Sequence, residues 1–183
     1  MTDFPISLTS PNQRCVGCQQ SEALGFDFSF AYQPIVDLRD RSIFAHEALV
    51  RGTHGEGALS VLDQVNDNNR YRFDQRCRTQ AIAGAAALGM QSYLSINFMP
   101  NAVYRPELCI RSTLEAARAH NFPLDRLIFE TLENEHVDNY RHLTNILREY
   151  REFGATPSRM VGDCHNPCAV GRYCPRRLRN ISE

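Results

Sequence analysis

Lysine is absent from this 183-residue chain, and all 20 of its basic residues are arginine. Any reaction that depends on a lysine ammonium group therefore has no such group to use here. No apolar run reaches the ~18 residues that a membrane-spanning helix needs. Residues 1–5 also lack the basic and apolar blocks of a secretory signal peptide. We therefore expect a cytoplasmic protein with no membrane partner.

Excess charge of either sign is also lacking. The formal net charge is -1, which gives no electrostatic reason to expect nucleic acid as a partner. The seven cysteines are an odd number in a chain without a secretion signal, so free thiols are more plausible than a disulfide framework. A hydrophobic fraction of 43% with 22% charged residues is typical of a globular protein of about one domain.

The segment around residues 44–51, FAHEALVR, places an acid and an arginine inside an apolar run. In a β-strand alternate residues share a face, so Glu47, Leu49 and Arg51 point to the same side. A carboxylate there can bind a cation, and a guanidinium can bind a phosphate with two parallel hydrogen bonds. A buried ion pair, or an edge strand facing solvent, would explain the same pattern.

From the strand that carries Glu47 onward, the pattern of apolar residues predicts a strand followed by helix three times in succession. Residues 26–38 and 44–51 should form an antiparallel hairpin, with a polar turn at 37–42 and Pro34 at a strand end or edge. Further strands are predicted at 93–98 and 127–130. Helices are predicted at 58–65, at 70–88 before Gly89, at 106–120 and from an Asp138 cap to Phe153. This order favours parallel strands joined by helical crossovers.

Polar side chains stand at or near the C-terminal ends of the three predicted parallel strands: Glu47, Asn97 and Glu130. In α/β barrels and open α/β sheets the functional site gathers at that edge, so these three side chains should converge. Carboxylate and amide oxygens are hard ligands that suit Mg²⁺ or Mn²⁺. The sequence therefore indicates a candidate metal site.

Both ends of the chain differ in character from the middle. Residues 1–25 are polar and contain Cys15 and Cys18, which could be half of a zinc site but lack the usual second pair. We expect a flexible leader there. Residues 155–183 are rich in Arg, Cys and Pro, and we expect an irregular tail. Cys164, Cys168 and Cys174 match no metal-binding spacing that we can defend.

The middle of the chain, residues 26–154, resembles the EAL family of bacterial cyclic di-GMP phosphodiesterases. The resemblance rests on four motifs in the family's order and spacing: QPI at 33–35, EALVR at 47–51, SIN at 95–97 and ETLE at 130–133. It implies an α/β fold, a partial TIM-type (β/α) barrel whose first strand runs antiparallel to the others and whose second half is missing. It also implies a two-metal site with Mg²⁺ or Mn²⁺ and hydrolysis of cyclic di-GMP to pGpG.

The resemblance assigns roles residue by residue. The metal ligands would be Glu47, Asn97 and Glu130, and the substrate-binding residues would be Gln33, Leu49 and Arg51. The fourth motif has Thr and Leu interchanged relative to the family, so the role of Glu130 carries over more safely than that of Glu133.

The resemblance stops at Gly154. The family continues there with a strand that bears paired aspartates and then supplies a catalytic lysine, and this sequence has neither. A change of reading frame near Gly154 and a genuine divergent tail both remain open explanations. We therefore expect a catalytically inactive chain. The alternative is a non-catalytic module that binds cyclic di-GMP or a protein partner, with a homodimer as one form of that partnership.

Overall fold

The computed structural model describes residues 21–131, 139–153 and 156–157. Their strands form a five-stranded sheet in the order β1-β2-β3-β4-β5. The strands are β1 (Ser29–Asp37), β2 (Ser42–Arg51), β3 (Tyr93–Phe98), β4 (Leu127–Thr131) and β5 (Thr156–Pro157). The last of these lies within the segment that the sequence predicts to be irregular.

Five α-helices are described, two of them long. They are α1 (Ala58–Leu62), α2 (Arg70–Ala87), α3 (Pro106–Cys109), α4 (Arg111–Ala119) and α5 (Tyr140–Glu152). Short 3₁₀ turns at Pro100–Ala102 and Leu124–Arg126 follow β3 and precede β4. No helix in the described ranges is long and apolar enough to cross a membrane.

The predicted hairpin is confirmed, since β1 and β2 pair antiparallel from Ser29 opposite Arg51 to Asp37 opposite Ser42. Pro34 lies in β1, which has a single neighbouring strand in the described sheet, so the missing N–H of proline is tolerated there. The turn contains Arg41 at φ 61°, a left-handed conformation that is uncommon for arginine.

The other strand pairs are parallel, as predicted: β2 with β3, β3 with β4, and β4 with β5. Each crossover carries helix, as the strand-helix repeat requires. Within the described residues β1 and β5 each have one neighbour, so the sheet is open. The fold is a partial (β/α) barrel with its first strand antiparallel, which confirms the predicted fold class.

One face of the sheet packs against the helices and forms the main core. Alternate residues of β3 and β4 supply its centre, because Leu94, Ile96, Phe98, Leu127 and Phe129 are all fully buried. Helices α2, α4 and α5 cover them with apolar side chains of their own. The opposite face of each strand is thereby left to carry the polar residues of the motifs.

The helix boundaries differ from the prediction in several places. Helix α1 ends at Leu62, three residues before the predicted end at 65. The single helix predicted at 106–120 is two segments that meet at Ile110, whose φ of -69° and ψ of -24° are still helical. The cap of the last helix is Asn139, whose side chain accepts a hydrogen bond from the His142 backbone N–H at 3.1 Å. The predicted cap, Asp138, lies outside the described residues. Gly89 ends α2 at φ 64°, as expected of a C-terminal glycine.

Candidate functional site

Glu47, Leu49 and Arg51 lie on β2, which is an inner strand of the sheet between β1 and β3. The edge-strand explanation for this segment is therefore wrong. Ala48, on the other face, belongs to the main core, so alternation directs Glu47 and Arg51 away from the helices. Both side chains are half-buried, which keeps them accessible to a ligand.

A direct side-chain contact joins the first two predicted ligands, Glu47 and Asn97. Glu47 pairs in register with Ser95 of β3, and Asn97 follows Ser95 by two residues on the same face. The Asn97 Nδ2–H donates a hydrogen bond to Glu47 Oε1 at 3.1 Å. Because the amide nitrogen is used in this bond, the carbonyl oxygen is the Asn97 atom suited to a cation.

Glu130 completes the set on the next strand. It pairs in register with Asn97 across β3 and β4, and neighbouring strands lie about 4.8 Å apart. Asn97 and Glu130 are each the penultimate residue of their strand. The structure thus brings Glu47, Asn97 and Glu130 together on three adjacent strands, as the sequence predicts.

The three predicted substrate-binding residues lie on the same face. Gln33 of β1 pairs in register with Glu47, and its side chain is exposed. Arg51 is the last residue of β2, and its Nη1 donates a hydrogen bond to the Val50 carbonyl at 2.8 Å. Leu49 lies between Glu47 and Arg51 on this face. An acidic and amide cluster therefore stands beside a guanidinium.

A compact loop follows Arg51. The Gly52 N–H donates to the Glu56 carbonyl at 2.9 Å, and the His54 N–H donates to the Glu56 carboxylate at 3.0 Å. Hydrogen bonds from the backbone N–H groups of Glu56 itself and of His54 lower the pKa of the Glu56 carboxyl. A Cβ on Gly52 would lie 2.1 Å from Glu56 Oε2, so a larger residue at position 52 would displace the Glu56 side chain. The loop lies directly after Arg51 in the chain.

The Asn-rich stretch at 66–72 has a structural role. Asn69 Oδ1 accepts from the Asn66 N–H at 2.8 Å, and Asn69 Nδ2 donates to the Gln64 carbonyl at 2.9 Å. The Asn68 carbonyl accepts from the Glu22 N–H at 2.9 Å. These contacts close the loop before α2 and join it to the N-terminal segment, so we assign it no ligand-binding role.

The donor set fits a hard divalent cation. Two carboxylates and one amide offer oxygen ligands, which Mg²⁺, Mn²⁺ and Ca²⁺ prefer. Ser95 is fully buried in register with Glu47, and its Oγ has no hydrogen-bond partner within the described residues. That hydroxyl can bond to a water or ligand oxygen beneath the site. No cluster of three or more His, Cys, Asp or Glu side chains that could hold a metal occurs in the described ranges.

The predictions for the terminal cysteines lie outside the described residues. Of the cysteines that are described, Cys77 and Cys109 are both buried. Burial raises the pKa of the Cys77 thiol well above its usual value, which keeps it protonated and unreactive.

Sequence reasoning missed one charged pair in the core. Asp74 and Arg78 lie one helical turn apart in α2, and their side chains are 2.8 Å apart at Asp74 Oδ2 and Arg78 Nη2. Opposite charges four residues apart usually form a surface pair, so this spacing alone gives no sign of burial. The surrounding alanines and Ile82 are the signal that could have placed the pair on the inner side of the helix.

With the geometry established, the chain can be compared with known proteins. A family model for the EAL domain matches residues 19–156. This chain belongs to the EAL domain family. A structure of a standalone versatile EAL protein from Vibrio cholerae O395, described as a c-di-GMP bound form, is 52% identical with a TM-score of 0.70. That match covers 74% of this chain and 57% of the other.

More distant relatives share the fold. A calcium and cyclic di-GMP complex of BlrP1 from Klebsiella pneumoniae is 24% identical with a TM-score of 0.65, over 74% of this chain and 34% of that one. A manganese and cyclic di-GMP complex of BlrP1 is also similar, with a TM-score of 0.63. The antirepressor BluF from Escherichia coli is 25% identical over 126 residues, 68% of this chain and 31% of BluF. The chain thus spans between about a third and somewhat over half of these relatives.

Proposed function

We propose that this chain binds cyclic di-GMP together with divalent metal ions at the candidate site. The observation that carries the proposal is the hydrogen bond from Asn97 to Glu47, combined with the register that sets Asn97 beside Glu130. The Vibrio cholerae relative supports it, because that structure is a c-di-GMP bound form at 52% identity. The BlrP1 complexes with calcium and manganese support a divalent metal.

Each residue has a distinct task in this proposal. Glu47, Asn97 and Glu130 hold metal through their side-chain oxygens. Arg51 forms a two-point hydrogen bond to a phosphate of the ligand, Gln33 donates and accepts through its amide, and Leu49 offers an apolar contact between them. The metals, when bound, would polarise a phosphoryl oxygen and lower the pKa of a bound water.

The EAL phosphodiesterases that this chain resembles hydrolyse cyclic di-GMP to pGpG. We propose that this chain binds cyclic di-GMP and does not hydrolyse it. The paired aspartates and the lysine that the family reaction implies are absent from its sequence. The three candidate ligands are too few to hold two metal ions with the negative charge that the reaction needs. The catalytic lysine is missing as well. A binding role is consistent with the side chains that the site retains.

Isothermal titration of the full chain with cyclic di-GMP in excess Mg²⁺, Mn²⁺ or Ca²⁺ tests the ligand. Arg51→Ala should weaken binding about 10- to 100-fold, because a hydrogen bond to a charged group is worth about 1.5–3 kcal/mol. Arg39→Ala is the matched control, since Arg39 lies in the hairpin turn at the other end of β2 with 80% of its side chain exposed. A flat titration on folded protein, or equal losses in both variants, would overturn the proposal.

The metal is tested separately by titration with Mn²⁺ alone. Glu130→Gln should weaken Mn²⁺ binding at least about tenfold, because the neutral amide is a poorer ligand for a hard cation than a carboxylate. Glu115→Gln on the exposed side of α4 removes the same charge away from the site and should change nothing. Accumulation of pGpG in the same samples would show that the chain is an active phosphodiesterase and refute binding without turnover.

A further inference from the structure

A buried polar cluster lies behind the candidate site, on the helix side of the sheet. It consists of Asp74, which is 2% exposed, and Arg78 and Tyr150, which are both 0% exposed. Arg78 Nη1 donates to the Tyr150 hydroxyl at 2.9 Å and to the Cys109 carbonyl at 3.3 Å. The cluster therefore links α2 to the end of α3 and to α5.

The second oxygen of Asp74 reaches the end of β3. Asp74 Oδ1 accepts a hydrogen bond from the Met99 backbone N–H at 2.9 Å. Met99 is the second residue after Asn97 and precedes the 3₁₀ turn at Pro100–Ala102. The Asp74 carboxylate thus joins the end of β3 to α2. Helix α2 is in turn held by the hydrogen bonds of Arg78 to α3 and α5.

The free-energy balance of this cluster favours a role other than stability. Burial raises the pKa of Asp74, and the neighbouring Arg78 charge and the Met99 N–H oppose that rise. Replacing a buried ion pair with apolar residues of similar volume is often neutral or stabilising. The pair therefore adds little stability that apolar residues could not supply. What apolar residues could not supply is the hydrogen bond from the Met99 N–H to Asp74.

We infer that Asp74 is a positioning residue for Asn97: its hydrogen bond to the Met99 N–H holds the end of β3 so that the Asn97 amide meets Glu47 and lies in register with Glu130. The inference rests on the proposed metal-binding function for its consequence. Its geometric part, the placement of the Asn97 side chain, can be measured with no ligand present. Outer partners of this kind change metal affinity by about 10- to 100-fold when they are removed.

The test uses two matched double variants of the full chain, D74N/R78M and D74L/R78M. Both remove the ion pair, and asparagine and leucine are similar in size. Only asparagine keeps a carbonyl oxygen that can accept from the Met99 N–H. The leucine variant leaves the Met99 N–H without its acceptor, whereas the asparagine variant buries an additional amide, so these two costs to stability oppose each other. The test therefore reads the Asn97 side chain and metal binding directly and does not rely on the stability of the variants.

The first measurement is the NMR signal of the Asn97 side-chain amide, assigned by its loss in Asn97→Ala. We expect D74N/R78M to keep the wild-type chemical shift and slow solvent exchange. D74L/R78M should show a shifted Asn97 amide signal that exchanges faster with solvent. The second measurement is Mn²⁺ titration, in which D74L/R78M should bind about tenfold more weakly than D74N/R78M. Equal Asn97 signals in both variants would overturn the inference.

Failure of the proposed function would look different. If the wild type binds no Mn²⁺, the function is wrong, while the Asn97 signal still decides whether Asp74 positions it. If either double variant does not fold, hydrogen exchange of the wild type decides instead. The Met99 N–H and the Asn97 side-chain amide should then open in one event with the same free energy. An Asn97 amide that stays protected while the Met99 N–H exchanges freely would refute the positioning role.

Discussion

Gly84 lies in the last turn of α2 and faces Tyr32 of β1. The Tyr32 hydroxyl donates a hydrogen bond to the Ala81 carbonyl at 2.8 Å. A Cβ built on Gly84 would lie 2.2 Å from the same hydroxyl oxygen and 3.2 Å from Tyr32 Cζ. Gly84→Ala must therefore push the Tyr32 ring away from the helix, although alanine is the better helix former.

The free energies can be added term by term. Alanine gains about 1 kcal/mol over glycine in a helix. Loss of the Tyr32 hydrogen bond costs about 1 kcal/mol, and overpacking costs about 1–3 kcal/mol. Gly84→Ala should thus destabilise the protein by about 1–3 kcal/mol. In a Tyr32→Phe background the closest remaining atom is the ring carbon, so the same change should be near neutral or stabilising by about 0.5 kcal/mol.

Urea unfolding of the four proteins in this double-mutant cycle measures the effect. The coupling free energy between positions 32 and 84 should be about 1–3.5 kcal/mol, read from midpoints at a constant m-value. The reasoning would be refuted by a Gly84→Ala change that stabilises the wild type, or that costs the same in both backgrounds.

Two further predictions concern stability. Burial raises the pKa of Tyr32 to about 12, whereas a tyrosine in the unfolded chain ionises near pH 10. The stability that comes from its neutral phenol should therefore be complete below about pH 10 and lost as the pH rises to about 12. The free energy of unfolding should fall less steeply with alkaline pH in Tyr32→Phe than in the wild type, and identical pH dependence would contradict this. Asn139→Ala should cost about 1 kcal/mol in thermal unfolding because it removes the acceptor for the His142 N–H. Asn139→Asp keeps an acceptor and should remain close to wild type.

The helix-side residues of the sheet could be predicted from sequence because their pattern is local. Leu94, Ile96 and Phe98 alternate with polar neighbours, and that period of two survives in β3. The C-terminal boundary of α2 was also predictable, since Gly89 takes the left-handed conformation that a glycine after a helix usually adopts. The cap of α5 was placed one residue early, because Asp138 and Asn139 are both good caps and sequence alone does not rank them.

Convergence of the site was predictable as a tendency, and its contacts were not. Polar residues at the ends of parallel strands indicated that Glu47, Asn97 and Glu130 would share an edge. The pairing of Asn97 with Glu130, and the hydrogen bond from Asn97 to Glu47, depend on the register between strands about 30 to 50 residues apart in the chain. Periodicity within a strand carries no information on that register.

By itself the sequence determined the family, the order of the first four strands and their helices, and the face on which Glu47 and Arg51 lie, because short motifs and a period of two or 3.6 residues encode these locally. Only the tertiary structure decided that Asp74 and Arg78 are buried, and that Asp74 bonds to the strand end beyond Asn97. Burial is a property of what packs on a residue from elsewhere in the chain. A charged pair that reads as surface in the sequence can therefore stand at the centre of the fold.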